Sequence, residues 1–138
     1  MNKQWKALNY LSCPDFHGAL TEYEEFENCL KKQSIETRYF SFDENVMIDS
    51  IYCRDASIAT DFGMIICNMG KGGRINEPSS QASDFRSNNE SILGIIESPG
   101  TLEGGDVAWF DEKTLAVGHT YRTNEEGISQ LKQWLEPR

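Results

Sequence analysis

Apolar and polar positions alternate in short stretches along much of this chain, and two segments carry the longer spacing of an amphipathic helix. From Ala7 to Cys13 the run Ala-Leu-Asn-Tyr-Leu-Ser-Cys predicts a strand, closed by Pro14-Asp15 and Gly18. A helix is expected next. Thr21 and Glu24 form a capping box, and Tyr23, Phe26 and Leu30 line one face as far as Gln33. Thr, Tyr and Phe in alternation then predict a second strand over 36–42.

From Asp55 the pattern changes to a hairpin: Asp-Ala-Ser-Ile-Ala, a turn at Asp61-Phe62-Gly63, then Met64 to Cys67. The chain does this again from Asp106, with Asp-Val-Ala-Trp-Phe, a turn at Asp111-Glu112-Lys113 and Leu115 to Gly118. A matching tetrapeptide follows each hairpin, Arg74-Ile75-Asn76-Glu77 in the first and Arg122-Thr123-Asn124-Glu125 in the second, and each opens a predicted helix. In the second, Thr123 and Glu126 form a capping box and Ile128, Leu131 and Leu135 supply the buried stripe. In the first, Pro78 suits a first turn, but 79–89 is polar, so a short or frayed helix is expected. Ile92 to Glu97 predicts a strand ending at Pro99-Gly100.

Strand pair, helix and strand recurring at a period of about fifty residues indicate an α/β repeat protein, each unit burying its apolar face on the next. One domain over 1–138 is expected, with units near 7–50, 51–98 and 99–138. Units left unsealed at an end, with the stripe at Ile128, Leu131 and Leu135, predict self-association into a homo-oligomer.

Charge and composition narrow the partners. At a net charge of −9 with scattered acids, the chain lacks the basic footprint of a nucleic-acid binder. No apolar run reaches membrane-span length and the first residues lack a signal-peptide core, so no membrane partner and a cytoplasmic setting are expected. Cys13, Cys29, Cys53 and Cys67 form no C-x-x-C pair and are expected to be buried reduced thiols. His17 and His119 show no metal or nucleophile spacing to any cysteine, so no metal and no cofactor are expected. Met69 to Gly73 is glycine-rich but lacks the phosphate-loop spacing.

Four segments carry a resemblance: Tyr52-Cys-Arg-Asp55; Met69-Gly-Lys-Gly-Gly-Arg74 with Glu77; Leu102-Glu-Gly-Gly-Asp-Val107; and Val117-Gly118 with Arg122-Thr-Asn-Glu-Glu-Gly127. In order and spacing, from about Leu8 to Leu135, the chain resembles the superfamily of amidinotransferases, arginine deiminases and dimethylarginine hydrolases. That resemblance implies a pentein-type β/α propeller of five ββαβ units around a central pocket, of which this chain would supply about half. It also implies covalent chemistry. A cysteine thiolate attacks the guanidinium carbon, a histidine moves protons, and acids hold the guanidinium. Water or an amine then resolves the thiouronium.

Asp55 resembles the aspartate that pairs with the guanidinium, a task in which two carboxylate oxygens match two N–H donors of a planar cation. Its residue type alone would equally suit a turn carboxylate. Glu103, beside the paired glycines Gly104-Gly105, resembles the catalytic glutamate that binds the guanidinium and assists the histidine; a solvent-facing acid is the alternative. Arg74 and Arg122 resemble the arginines that hold a substrate carboxylate, though each could instead brace a helix start. Arg54 has no settled role, and Asp106 is expected to pin its turn by side-chain to backbone hydrogen bonds.

Neither histidine matches the family's catalytic one, which together with the nucleophilic cysteine would lie past Leu135. Two readings follow. The chain is the front part of a guanidino-modifying enzyme for arginine-like substrates, inactive by itself. Alternatively, it is a non-catalytic protein of that fold that binds guanidino compounds or self-associates.

Overall fold

The computed structural model describes residues 4–136, which form two compact units, Met1–Phe42 and Asp43–Arg138. The first is built on helix α1 (Phe16–Lys32). It starts earlier than the capping box suggested. Asp15 caps it, accepting from the Gly18 amide at 2.7 Å, while Thr21 lies inside the helix and donates to the His17 carbonyl. Tyr23 and Phe26 are exposed, and the buried position of the helix is Glu27, which accepts from the Tyr39 hydroxyl and from Lys31.

Neither predicted strand of this unit forms. Residues 4–9 are turns in which Asn9 takes a left-handed φ of 66°, and 36–42 carries no strand. Alternation makes a strand only where a neighbour completes the backbone hydrogen bonds.

The second unit follows the predicted order. Strands β1 (Ser57–Thr60) and β2 (Gly63–Ile66) form an antiparallel hairpin, and β3 (Ile92–Ile95) joins β2 in parallel after helix α2 (Glu77–Ser87). The turn needs glycine at position 63, where φ is 130° and a Cβ would stand 2.7 Å from the Ser91 carbonyl oxygen. Strands β4 (Val107–Trp109) and β5 (Leu115–Val117) form the second hairpin, followed by α3 (Glu125–Leu135). Leu131 of α3 packs with Ala56, Ile58, Ile65, Cys67, Ile96, Leu102 and Val107 into one apolar core.

Helix α2 is a full helix of 11 residues, not a frayed one. Its polar residues are drawn inward by specific partners. Gln81 accepts from the Ser57 hydroxyl and donates to the Cys53 carbonyl, and Phe85 and Ala82 pack on Ile66. Helix α3 is capped one residue later than expected, by Asn124, whose side-chain oxygen accepts from the Gly127 and Thr101 amides. Three of the four cysteines are exposed, and only Cys67 is buried.

Candidate functional site

Two short 3-10 turns precede the two hairpins, and each ends on an aspartate: Cys53–Asp55 before β1 and Gly104–Asp106 before β4. They pack on each other because Gly104 and Gly105 have no side chains. A Cβ on Gly104 would overlap the Arg54 carbonyl oxygen, and one on Gly105 would stand 2.5 Å from Oδ1 of Asp55. The paired glycines therefore let the Asp55 carboxylate lie beside the segment that carries Glu103.

Asp55 is fixed from below. Arg74 is buried at 2% exposure, and its Nη1 donates to Asp55 Oδ2 at 2.5 Å. Its Nε and Nη2 reach Glu77 at 2.8 and 2.6 Å, Nη2 also donates to the Tyr52 carbonyl, and the Tyr52 ring lies against the guanidinium. With Oδ2 held, Asp55 Oδ1 accepts no hydrogen bond among the described residues.

Glu103 is buried at 1% exposure. Its Oε1 accepts from the Lys71 amide and its Oε2 from Arg122 Nη1, both at 3.1 Å, while its own amide donates to the Thr123 hydroxyl. That hydroxyl and Thr120's both donate to Asp106 Oδ2, at 2.6 and 2.8 Å. Asp106 thus ties the second turn to the Arg122 loop through side chains, not the backbone bonds expected of it. Arg54 donates to the Val107 carbonyl, bracing one turn against the next strand.

Arg74 and Arg122, grouped by sequence as substrate-carboxylate residues, occupy different surroundings. A carboxylate reaching Arg74 would have to displace Asp55, Glu77 and Tyr52. Arg122 keeps about a third of its side chain exposed, with Nε donating to the Tyr121 hydroxyl at 2.9 Å and the ring 5.2 Å away. Its backbone is pressed on Gly70, where a Cβ would stand 2.7 Å from Arg122 Cα.

Three members of the site were absent from the sequence expectations: Asp49, Lys71 as a charge, and Glu77 as a partner of Arg74. Lys71 Nζ meets the buried Asp49 carboxylate at 2.5 Å. Burial pushes the Glu77 carboxyl up even against Arg74, and the neighbouring charges of Asp49 and Asp55 add to it. Glu77 stands three residues after Arg74, a spacing at which helical side chains meet. Asp49 lies in a 3-10 turn with no motif around it.

Four carboxylates (Asp49, Asp55, Glu77, Glu103) are thus paired with three cations (Lys71, Arg74, Arg122), leaving one negative charge in excess. Cys67 adjoins Glu103 and Asp55, but burial pushes its thiol up to about 12, with both acids adding to the shift. Burial thus disfavours the thiolate that a nucleophile needs. Among the described residues no group of three or more His, Cys, Asp or Glu side chains is placed to hold a metal ion, and no helix is long and apolar enough to cross a membrane.

Buried acids on an α/β frame fit the guanidino-group-modifying class that the motifs resemble. Within it, the sequence profile of the family described as N,N dimethylarginine dimethylhydrolase, eukaryotic, matches residues 13–136, and the chain belongs to the dimethylarginine dimethylaminohydrolase family. It is 27% identical over 93% of its length to the N(G),N(G)-dimethylarginine dimethylaminohydrolase of Pseudomonas aeruginosa, and 30% identical over 88% to that of Streptomyces coelicolor. Among solved structures it is similar to a cysteine-to-serine mutant of the P. aeruginosa protein complexed with citrulline (TM-score 0.79, 27% identity, 93% of this chain and 49% of that one). It is also similar to a histidine-to-glycine variant of dimethylarginine dimethylaminohydrolase captured as an adduct with S-methyl-L-thiocitrulline (TM-score 0.78, 27% identity, 93% of this chain and 50% of that one). The chain spans about half the length of the curated relatives it matches, 50% and 46%.

Proposed function

We propose that these residues are the guanidinium-holding part of a dimethylarginine dimethylaminohydrolase site, acting on N-methylated arginine or a close analogue. The observation that carries this reading is the Asp55–Glu103 arrangement. One carboxylate is locked by Arg74 with its second oxygen open, another is buried beside it, and the surrounding charges leave room for one cation. A planar guanidinium satisfies both needs, offering N–H donors to the two acids and the missing positive charge.

In the reaction implied by the resemblance, a cysteine thiolate bonds to the guanidinium carbon and dimethylamine leaves carrying a proton from a histidine. Water then replaces the sulfur, which leaves the urea group of citrulline and regenerates the thiol. Asp55 and Glu103 contribute by holding the planar cation in the orientation that the thiolate attacks. Arg122 offers Nη2 to the ligand carboxylate. Arg74 acts through Asp55 as a positioning residue. In this reading the nucleophile is supplied from outside the described residues, as the resemblance implies, and burial disfavours the thiolate of Cys67 beside the acids. In this reading the two hairpin-and-helix segments are units of a β/α propeller of ββαβ repeats, about half of which lies in this chain.

Titration calorimetry of the purified chain with N,N-dimethylarginine, with citrulline followed in the same samples, is the test. Asp55→Asn and Glu103→Gln are each expected to weaken binding by about tenfold or more, with no citrulline formed. Undiminished binding in both variants would overturn the placement of the guanidinium. Citrulline formation abolished by Cys53→Ser or Cys67→Ser would overturn the external nucleophile.

A further inference from the structure

Tyr121 is 87% exposed, so its ring gains almost nothing from burial, yet the backbone on both sides of it is pinned. The Thr120 hydroxyl accepts from the Arg122 and Thr123 amides at 3.0 and 3.2 Å and donates to Asp106 Oδ2, and the Thr120 amide donates to the Thr123 carbonyl. The Tyr121 side chain turns to its neighbour. Nε of Arg122 donates to the phenol oxygen at 2.9 Å, and the guanidinium carbon lies 5.2 Å from the ring centroid. Arg122 Nη1 is on Glu103 Oε2 at 3.1 Å, while Nη2 donates to nothing among the described residues. A phenol oxygen that accepts a hydrogen bond still carries an O–H of its own, and that of Tyr121 likewise meets no acceptor among the described residues. Nε and Nη2 share one edge of the guanidinium, so the open Nη2 and the phenol O–H seated on Nε stand on the same side.

We propose that Tyr121 is a specificity-determining residue, whose phenol O–H donates to one oxygen of the ligand carboxylate while Arg122 Nη2 donates to the other. The inference rests on the guanidinium reading above and deepens it by naming what selects the far end of the ligand. A carboxylate brings an acceptor to each of the two donors. A carboxamide brings one acceptor and sets its NH2 against the second donor, which leaves both of those groups unpaired. The pair therefore selects an acid over its amide.

The probes are N,N-dimethylarginine and its carboxamide, which share the guanidinium and the α-ammonium and differ only at the group offered to Arg122. Their dissociation constants are measured by titration calorimetry at about pH 6, where the α-amino groups of both carry charge. The proteins are the wild type and Tyr121→Phe, which keeps the ring and removes the hydroxyl. The wild type is expected to bind the acid about tenfold or more tightly than the amide. Tyr121→Phe is expected to lose about fivefold in affinity for the acid and less than about twofold for the amide. A Tyr121→Phe protein that weakens both ligands equally would reduce Tyr121 to a structural role. One that binds the acid more tightly would make the phenol a competitor for Arg122, and one that binds both as the wild type does would leave the hydroxyl without a part. Each of these outcomes overturns the proposal while leaving the guanidinium reading intact, and a wild type that binds acid and amide alike overturns it without recourse to the variant. A wild type that binds neither probe would sink that reading, and this proposal with it.

Discussion

Arg74 and Arg122 open matching tetrapeptides, Arg-Ile-Asn-Glu and Arg-Thr-Asn-Glu, and the two copies have opposite surroundings. In the first, the arginine is folded back onto its own motif. Glu77 takes two of its donors, Asp55 a third, and Asn76 precedes the helix without a side-chain cap, donating instead to the Asn45 carbonyl. In the second, Glu125 is exposed, Asn124 caps the helix, and the arginine reaches sideways to Glu103 and Tyr121 with part of its guanidinium open. One copy spends its arginine on internal electrostatics and the other keeps it at the rim. The difference follows from what lies beneath each: a buried glutamate three residues on in one case, a buried threonine hydroxyl in the other.

The largest expected effect separates these two arginines directly. Arg74→Ala leaves Asp55 and Glu77 without their shared cation, so a loss of about 3–5 kcal/mol in denaturant unfolding is expected. Arg122→Ala removes an arginine about a third exposed, whose buried partner Glu103 keeps the Lys71 amide, and about 1–2 kcal/mol is expected. Similar losses for the two would mean that the copies are equivalent after all.

Next in size is the contrast between glycines. Gly104→Ala forces a methyl group onto the Arg54 carbonyl, an overpacking expected to cost about 1–3 kcal/mol and to loosen Asp55. At Gly118 a Cβ would have its nearest neighbour at 3.6 Å, an ordinary contact, and Gly118→Ala is expected to stay within about 0.5 kcal/mol. Thermal or denaturant unfolding of both variants checks the pair.

Smallest is the difference between the two asparagines. Asn124→Ala loses a cap that serves two amides, and about 1 kcal/mol is expected. Asn76→Ala loses one exposed hydrogen bond to the Asn45 carbonyl, and about half of that is expected. Equal losses would remove the distinction between a capped and an uncapped helix start.

The sequence made the second unit legible where local signals and tertiary pairing agree. The Asp61-Phe62-Gly63 turn with apolar runs on both sides became β1 and β2, and Leu131 and Leu135 of the expected stripe became the packed side of α3. It misled over 7–13 and 36–42, where no strand forms and Asn9 turned left-handed. Helix α2 was underrated because the polar Gln81 is buried against Ser57 and Cys53, 24 and 28 residues away in sequence. Within the site, Glu103 and Asp55 stood out through the glycines beside one and the motif around the other. Asp49 could not be found, because its cation comes from a loop 22 residues on. The equivalence of Arg74 and Arg122 was read from the repeat itself, and only the depth of each position distinguishes them.

The most direct test of the guanidinium site is a 1H–15N NMR titration of the whole chain with N,N-dimethylarginine. The amides of Asp55, Lys71, Glu103, Gly104 and Gly105 are expected to move together along one saturation curve, with Arg122 following and helix α1 unchanged. Saturable shifts confined to α1, or no saturable shift at Asp55 and Glu103, would contradict the site.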